Sequence, residues 1–200
     1  MIEVTGPALA MIELGDVPSG FVALDAIAKE AEVSVLAAGT VQCGRWLVAF
    51  AGELEAVQRS FVRATSRVEA AIVDSVLLPH AEPRIVPALR DGAARLPAAG
   101  DALGVLQTGS SPTLLCALDA ALKGALVELV ELRVAEGLGG KGLASLWGKQ
   151  HDVEAAIELA REAFERARRE GCSAAVIANA DPEVLRALLS GTRFFKEFRG

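Results

Sequence analysis

The chain has 200 residues, 52% of them apolar and 23% charged, which suits one domain or two small ones and excludes a disordered chain. Aromatic residues make up only 4% and Tyr is absent, so platforms for stacking bases or sugars are scarce; with a net charge of −6 and no long basic run, nucleic acid is not expected as a partner. The N-terminus has no basic stretch leading into an apolar one, and no stretch is apolar for long enough to span a bilayer, so the chain reads as cytoplasmic with no membrane contact.

In chain order, Met11–Leu14 reads as a short strand ended by Gly15. Pro18 and Ser19 open a helix to about Glu30, since Pro fits a first helical turn. The β-branched run from Val33 to Val41 reads as a second strand and the apolar run Arg45–Ala51 as a third. Leu54, Val57, Phe61, Ala64 and Val68 recur at helical spacing within Glu53–Val68. Ala71–Leu78 reads as a fourth strand, followed by a short helix over Pro83–Leu89. The order βαββαβ predicts an α+β, ferredoxin-like unit: a four-stranded antiparallel sheet with helices on one face.

The chain then repeats itself. Over the ungapped stretch from Leu9 to Val33, ten residues recur 94 positions later, among them Gly15/Gly109, Pro18/Pro112, Asp25/Asp119 and Lys29/Lys123. The offset becomes 96 at Gly44/Gly140, Leu47/Leu143 and Gly52/Gly148, and 99 where EPRIVPAL from Glu82 meets DPEVLRAL from Asp181. That period is a small domain's length, too long for a solenoid repeat. The reading is therefore two tandem domains, 1–91 and 102–200, joined by a Gly-, Ala- and Pro-rich linker over 92–101. The second copy carries a longer second helix, Val153–Glu170, whose arginines alternate with Glu as on a solvated face.

The stretch I-E-L-G, A-L-D-A-x-x-K-x-A-x-V and a Gly-basic pair opening a strand, met twice in unpermuted order, resembles the bacterial microcompartment domain in its tandem class. The resemblance runs from about Ala8 to Leu189, leaving out the tail with Phe194, Phe195 and Phe198. It implies a shell protein: a homotrimer mimicking a hexamer, a flat tile that abuts other microcompartment shell proteins at its edges and passes metabolites or electrons through a central pore. A tandem ferredoxin-like regulatory module binding a small effector is the alternative, since this fold hosts many functions.

The resemblance also assigns sites. Loops between the second and third strands line the pore: Thr40, Val41, Gln42, Cys43 and Gly44 in the first copy, and Glu136, Gly137, Leu138, Gly139 and Gly140 in the second. Lys29 and Lys123 fall at the tile edge; by spacing alone each is an i,i+4 partner of Asp25 or Asp119. His80 and Asn179 stand at the edge where the family often carries Arg.

Cys43 is given two readings. One is a ligand, one thiolate per chain, for a [4Fe–4S] cluster on the trimer axis. The other is a small free thiol, because the family's cluster Cys stands two residues before the loop Gly, where this chain has Gln42. Cys116 and Cys172 read as structural, and three cysteines without a C-x-x-C pair predict no disulfide framework. Trp46 and Trp147 read as core or subunit-contact residues. With His80 and His151 as the sole histidines, and no H-E-x-x-H, G-x-S-x-G or phosphate-binding loop, no enzymatic activity is expected.

Overall fold

The computed structural model describes residues 6–91, 100–135, 137–167, 170–190 and 192. Most of the linker, Glu136 and the aromatic tail lie outside these residues.

The first copy runs β1 (Ala8–Leu14), α1 (Val17–Glu30), β2 (Ser34–Val41), β3 (Arg45–Gly52), α2 (Leu54–Arg67), β4 (Ile72–Leu78) and α3 (Ile85–Asp91). The second repeats it as β5 (Ala102–Thr108), α4 (Ser111–Gly124), β6 (Glu128–Val134), β7 (Gly142–Gly148), α5 (Gln150–Ala167), β8 (Ser173–Ala178) and α6 (Pro182–Leu189). Both sheets are antiparallel, ordered β2-β3-β1-β4 and β6-β7-β5-β8, the ferredoxin-like topology expected.

Element ends shift for local reasons. β1 starts at Ala8 because Ala8, Leu9 and Ala10 are all buried, one face against helices and the other against the rest of the core. β4 starts at Ile72 because Glu69–Ala71 forms a 3-10 turn whose Ala71 carbonyl accepts from Gly15 N. α1 is capped as its sequence suggests: Asp16 accepts from Ser19 N at 2.8 Å, with Pro18 in the first turn.

The two long helices of each copy lie on one face of its sheet. In copy one, Ala8, Ala10, Ile12 and Leu14 meet Ile27, Val57 and Ala64 there. In copy two, α6 covers the other face through Leu188, against Leu103, Val130 and Trp147. The opposite face of copy one (Leu9, Met11, Leu47 and Ala49) joins Ile85 and the interior of copy two in one continuous cluster. The two repeats thus share a core, and the junction between them is as dry as a domain interior. Each Leu sealed there, such as Leu114, Leu115 or Leu118, contributes about 1.5–3 kcal/mol. Trp46 and Trp147 are both buried, in agreement with a packing role.

Candidate functional site

The expected loops occupy one corner of the molecule. After β2, Gln42–Gly44 makes a tight turn in which Cys43 (φ 67°) and Gly44 (φ 71°) are both left-handed. Gly takes that conformation freely, whereas Cys gives up roughly 1–2 kcal/mol to hold it. After β6, Ala135, Gly137, Gly139 and Gly140 are left-handed, and Ala135 N donates to Lys141 O at 3.1 Å to close the loop. Gly139 N donates to Gln42 Oε1 at 3.0 Å, so the two loops are tied together across the repeat.

Thr40, Gln42, Cys43, Gly44, Gly137 and Gly139 are exposed, Val41 and Leu138 half-buried. Added Cβ atoms on Gly44 and Gly139 would meet nothing within 4 Å, so these tips border open space. Gly140 differs: it is buried, with a would-be Cβ 3.1 Å from Arg45 Nη1, and supports the loop from beneath. Arg45 is fixed in turn by Glu13 Oε1 at 2.8 Å. An apolar cleft of about 410 Å³ lies under the first loop, between Met11, Leu36, Val41, Leu89 and Val134.

Cys43 is the exposed cysteine of the three, outside any disulfide. Burial pushes the Cys116 thiol above its ordinary pKa, with Arg166 opposing and Asp119 and Asp74 adding to the rise, so it stays a protonated structural thiol. Among the described residues no three or more His, Cys, Asp and Glu side chains gather to hold a metal. One chain therefore offers a single soft ligand at its loop tip. That suits a cluster only if other copies bring theirs to the same point.

The expected edge residues behave unequally. Lys29 pairs with Asp25 at 2.7 Å on an exposed surface. Lys123 pairs with Asp119 at 2.6 Å and also donates to the carbonyl of His80. Lys123 and His80 are thus brought together across the repeat, while Asn179 stands exposed at φ 48° on copy two. Arg84, which the sequence reading passed over, clamps this corner: it donates to Val127 O at 2.6 Å and Leu122 O at 3.1 Å and pairs with Glu82 at 2.8 Å.

The sequence reading also missed the polar centre of the junction. Asp74 on β4 and Glu13 on β1, paired in register, are nearly sealed at 5% and 0% exposure. They receive the N-terminus of α4. Thr113 donates to Asp74 Oδ2 through N (3.2 Å) and Oγ1 (2.7 Å), Ser110 Oγ donates to the same oxygen, and Ser111 N donates to Glu13 Oε2 at 3.1 Å. Free N–H groups of a first helical turn favour negative charge, and two carboxylates from the other repeat supply it.

α1, the counterpart of α4, has no such partner. Phe21 is 60% exposed where its counterpart Leu115 is at 0%, and Pro18, Val22, Asp25 and Ala28 are exposed as well. The repeat makes this difference visible: α4 shows what α1 would look like with a neighbour. No helix among the described residues is long and apolar enough to cross a membrane.

Comparison with known proteins fits this arrangement. The BMC domain family matches residues 8–81 and again 102–180. The bacterial microcompartment shell protein PduT of Citrobacter freundii is 32% identical over 155 residues, 78% of this chain and 83% of that one. The crystal structure of a microcompartment protein from Desulfitobacterium hafniense superposes with a TM-score of 0.77 at 28% identity, over 90% of this chain and 98% of that one. The fused permuted hexameric shell protein of the RMM microcompartment shares the fold, with a TM-score of 0.60 at 23% identity, over 80% and 85% of the two chains.

Proposed function

The chain belongs to the BMC domain family, with two copies of that domain, and from this premise we propose that it is a structural tile of a bacterial microcompartment shell, assembled as a trimer whose six domains ring a pore. The observation that carries this reading is the unequal burial of α1 and α4. The junction inside the chain is head-to-tail: the helix of copy two sits on the sheet of copy one. It leaves one helix face and one sheet edge of the same kind open. A head-to-tail contact repeated either closes a ring or runs on as a filament. The family's tiles are closed rings, and three tandem chains supply six domains. An exposed apolar face holding Phe21 and Val22 is what such a ring would cover.

In that ring the paired loops of each chain face the centre. Gln42, Gly139 and the neighbouring backbone amides offer polar groups to small metabolites, and Cys43 offers three thiols in all. Three such thiolates match a [4Fe–4S] cluster with one iron left open, which supplies one-electron transfer across the wall when bound. Cys43 holds the thiol outward at the loop tip, and the Gln42–Gly139 bond fixes where that tip stands.

Light scattering on protein purified without oxygen tests both levels. The expected mass is three times the 20.8 kDa chain, and a monomer or dimer overturns the tile. Visible absorbance in the same peak, lost in Cys43→Ser without loss of the trimer, is expected for the cluster. A colourless trimer lacking iron and sulfide overturns the cluster and leaves the pore.

Lys29 and Lys123 are assigned to the tile edge, where neighbouring tiles abut. The exposed Lys29 pair is worth only about 0.3–0.5 kcal/mol, whereas Lys123 also holds the His80 carbonyl and a nearly buried Asp119, so replacing both by Ala should lower stability through Lys123 while leaving the trimer assembled. Electron microscopy of the double variant is expected to show no sheets. Undiminished sheets refute the edge role.

A further inference from the structure

The repeat also shows how the open surface is keyed. Residues at the junction inside the chain have counterparts at the open surface, and at three of them, Glu13/Gln107, Asp74/Ser173 and Ser110/Asp16, acid changes sides, while Thr113/Ser19 and Arg45/Lys141 keep their chemistry. On the sheet side, β1 places Glu13 beside Asp74 of β4, and β5 places Gln107 beside Ser173 of β8. Arg45, which holds Glu13, is replaced by Lys141. On the helix side, Ser110 of α4 gives its hydroxyl to Asp74, whereas the counterpart in α1 is Asp16. Asp16 caps its own helix through Ser19 N at 2.8 Å and Ser19 Oγ at 3.0 Å. Acid on the sheet and hydroxyl on the helix inside the chain thus become acid on the helix and hydroxyl on the sheet at the open surface.

We infer that the open surface binds a second copy of this chain through a keyed contact in which Asp16 at the head of α1 docks on Ser173 and Gln107 of the next copy. The inference rests on the ring reading above and adds to it the residues that fix the register. Asp16 has acceptor capacity beyond the two bonds it makes to Ser19, and Ser173 is exposed and can donate. Lys141 of the next copy is exposed in the loop just before β7 and carries the opposite charge. The opposite pairing is closed off. If α1 were set on a first-copy sheet, Asp16 would face Glu13 and Asp74, three carboxylates in a site that is dry when filled. If α4 were set on a second-copy sheet, its free N–H groups would meet Ser173 and Gln107 with no carboxylate to receive them. Alternation of the two copies around the ring avoids the clash of carboxylates and keeps charged acceptors at the first turn of α4, which is discrimination by mismatch as well as by fit.

The test uses the full chain and three variants. Ser173→Asp places a carboxylate against Asp16 of the neighbour, and the trimer is expected to dissociate at a protein concentration higher by about tenfold or more. Because Ser173 is exposed within one chain, its circular dichroism and melting should not change under conditions where the protein is monomeric. Asp16→Ser keeps a good cap for α1 and gives the control. The double variant D16S/S173D rebuilds at the open surface the acid and hydroxyl arrangement found inside the chain, and it is expected to recover the trimer. A wild-type trimer that tolerates S173D, or a double variant no better than S173D, overturns the key while leaving the ring. A wild-type protein that is not a trimer overturns the ring and the key together.

Discussion

Asp74→Ala should cost the protein about 3–5 kcal/mol, the scale set by stranding the partners of a buried, hydrogen-bonded charge. Asp74 takes bonds from Ser110 Oγ, Thr113 N and Thr113 Oγ1 on one oxygen and from Ser75 N, at 2.8 Å, on the other. Truncation would leave those donors in a site with no room for bulk water, and would remove negative charge from the first turn of a helix that copy two caps with no side chain of its own. For a chain of this size the loss corresponds to a fall in Tm of roughly 6–20 °C. Asp74→Asn retains one acceptor and should lose less. Because Asp74 belongs to copy one and three of these four donors to copy two, the variant should also uncouple the repeats, seen as a broadened or two-step urea transition. A loss under about 1 kcal/mol with one sharp transition would show that the shared apolar core, and not this carboxylate, holds the copies together.

The contrast between Asp74 and the loops explains what was legible in the sequence. The order of elements was legible because alternation and helical spacing are local, and the presence of two copies because the repeat marks them. The loops were legible because the shift in offset from 94 to 96 falls between Val33 and Gly44, where copy two has grown. Their contact was not: the Gln42–Gly139 bond joins residues 97 apart and depends on how the copies dock. Nor was the left-handed turn at Cys43, which the absence of Gly or Asn at that position conceals. Glu13 and Asp74 escaped because buried acids are rare and a lone acid in a strand usually faces water. A signal for them existed nonetheless. At Glu13/Gln107, Asp74/Ser173 and Asp16/Ser110 the two copies disagree, and those disagreements mark where one copy meets a covalently linked neighbour and the other meets a free surface. The identities reveal the fold, and the differences reveal the junction.

The same comparison exposes a packing exchange whose disruption should be as costly. β1 pairs Leu14 with Trp46, and β5 pairs Thr108 with Gly142, which makes Trp46 and Gly142 structural counterparts. Gly20 in α1 is likewise the counterpart of Leu114 in α4. In copy one the strand carries the bulk: a Cβ on Gly20 would lie 2.2 Å from Trp46 Cγ. In copy two the helix carries it: a Cβ on Gly142 would lie 2.8 Å from Leu114 Cβ. Helix and strand approach closely in both copies, and one side must be glycine.

Gly20→Leu alone should cost about 2–3 kcal/mol by overpacking against Trp46. Trp46→Gly alone should cost about 4 kcal/mol or more, because it empties a buried ring site and places Gly within a strand. It would also remove the ring whose centroid lies 4.7 Å from that of Phe21. No hydrogen bond is lost, since Trp46 Nε1 has no partner. The double variant G20L/W46G transplants the solution of copy two into copy one. It should be more stable than W46G alone and recover at least about 2 kcal/mol relative to the sum of the single losses. Recovery should stop short of the wild type because Leu is smaller than Trp and Phe21 keeps no ring to lie against. Urea midpoints of the four proteins decide the matter. Additive losses would mean that Gly20 and Trp46 do not share one site, and that the two copies reached their close helix–strand contacts independently.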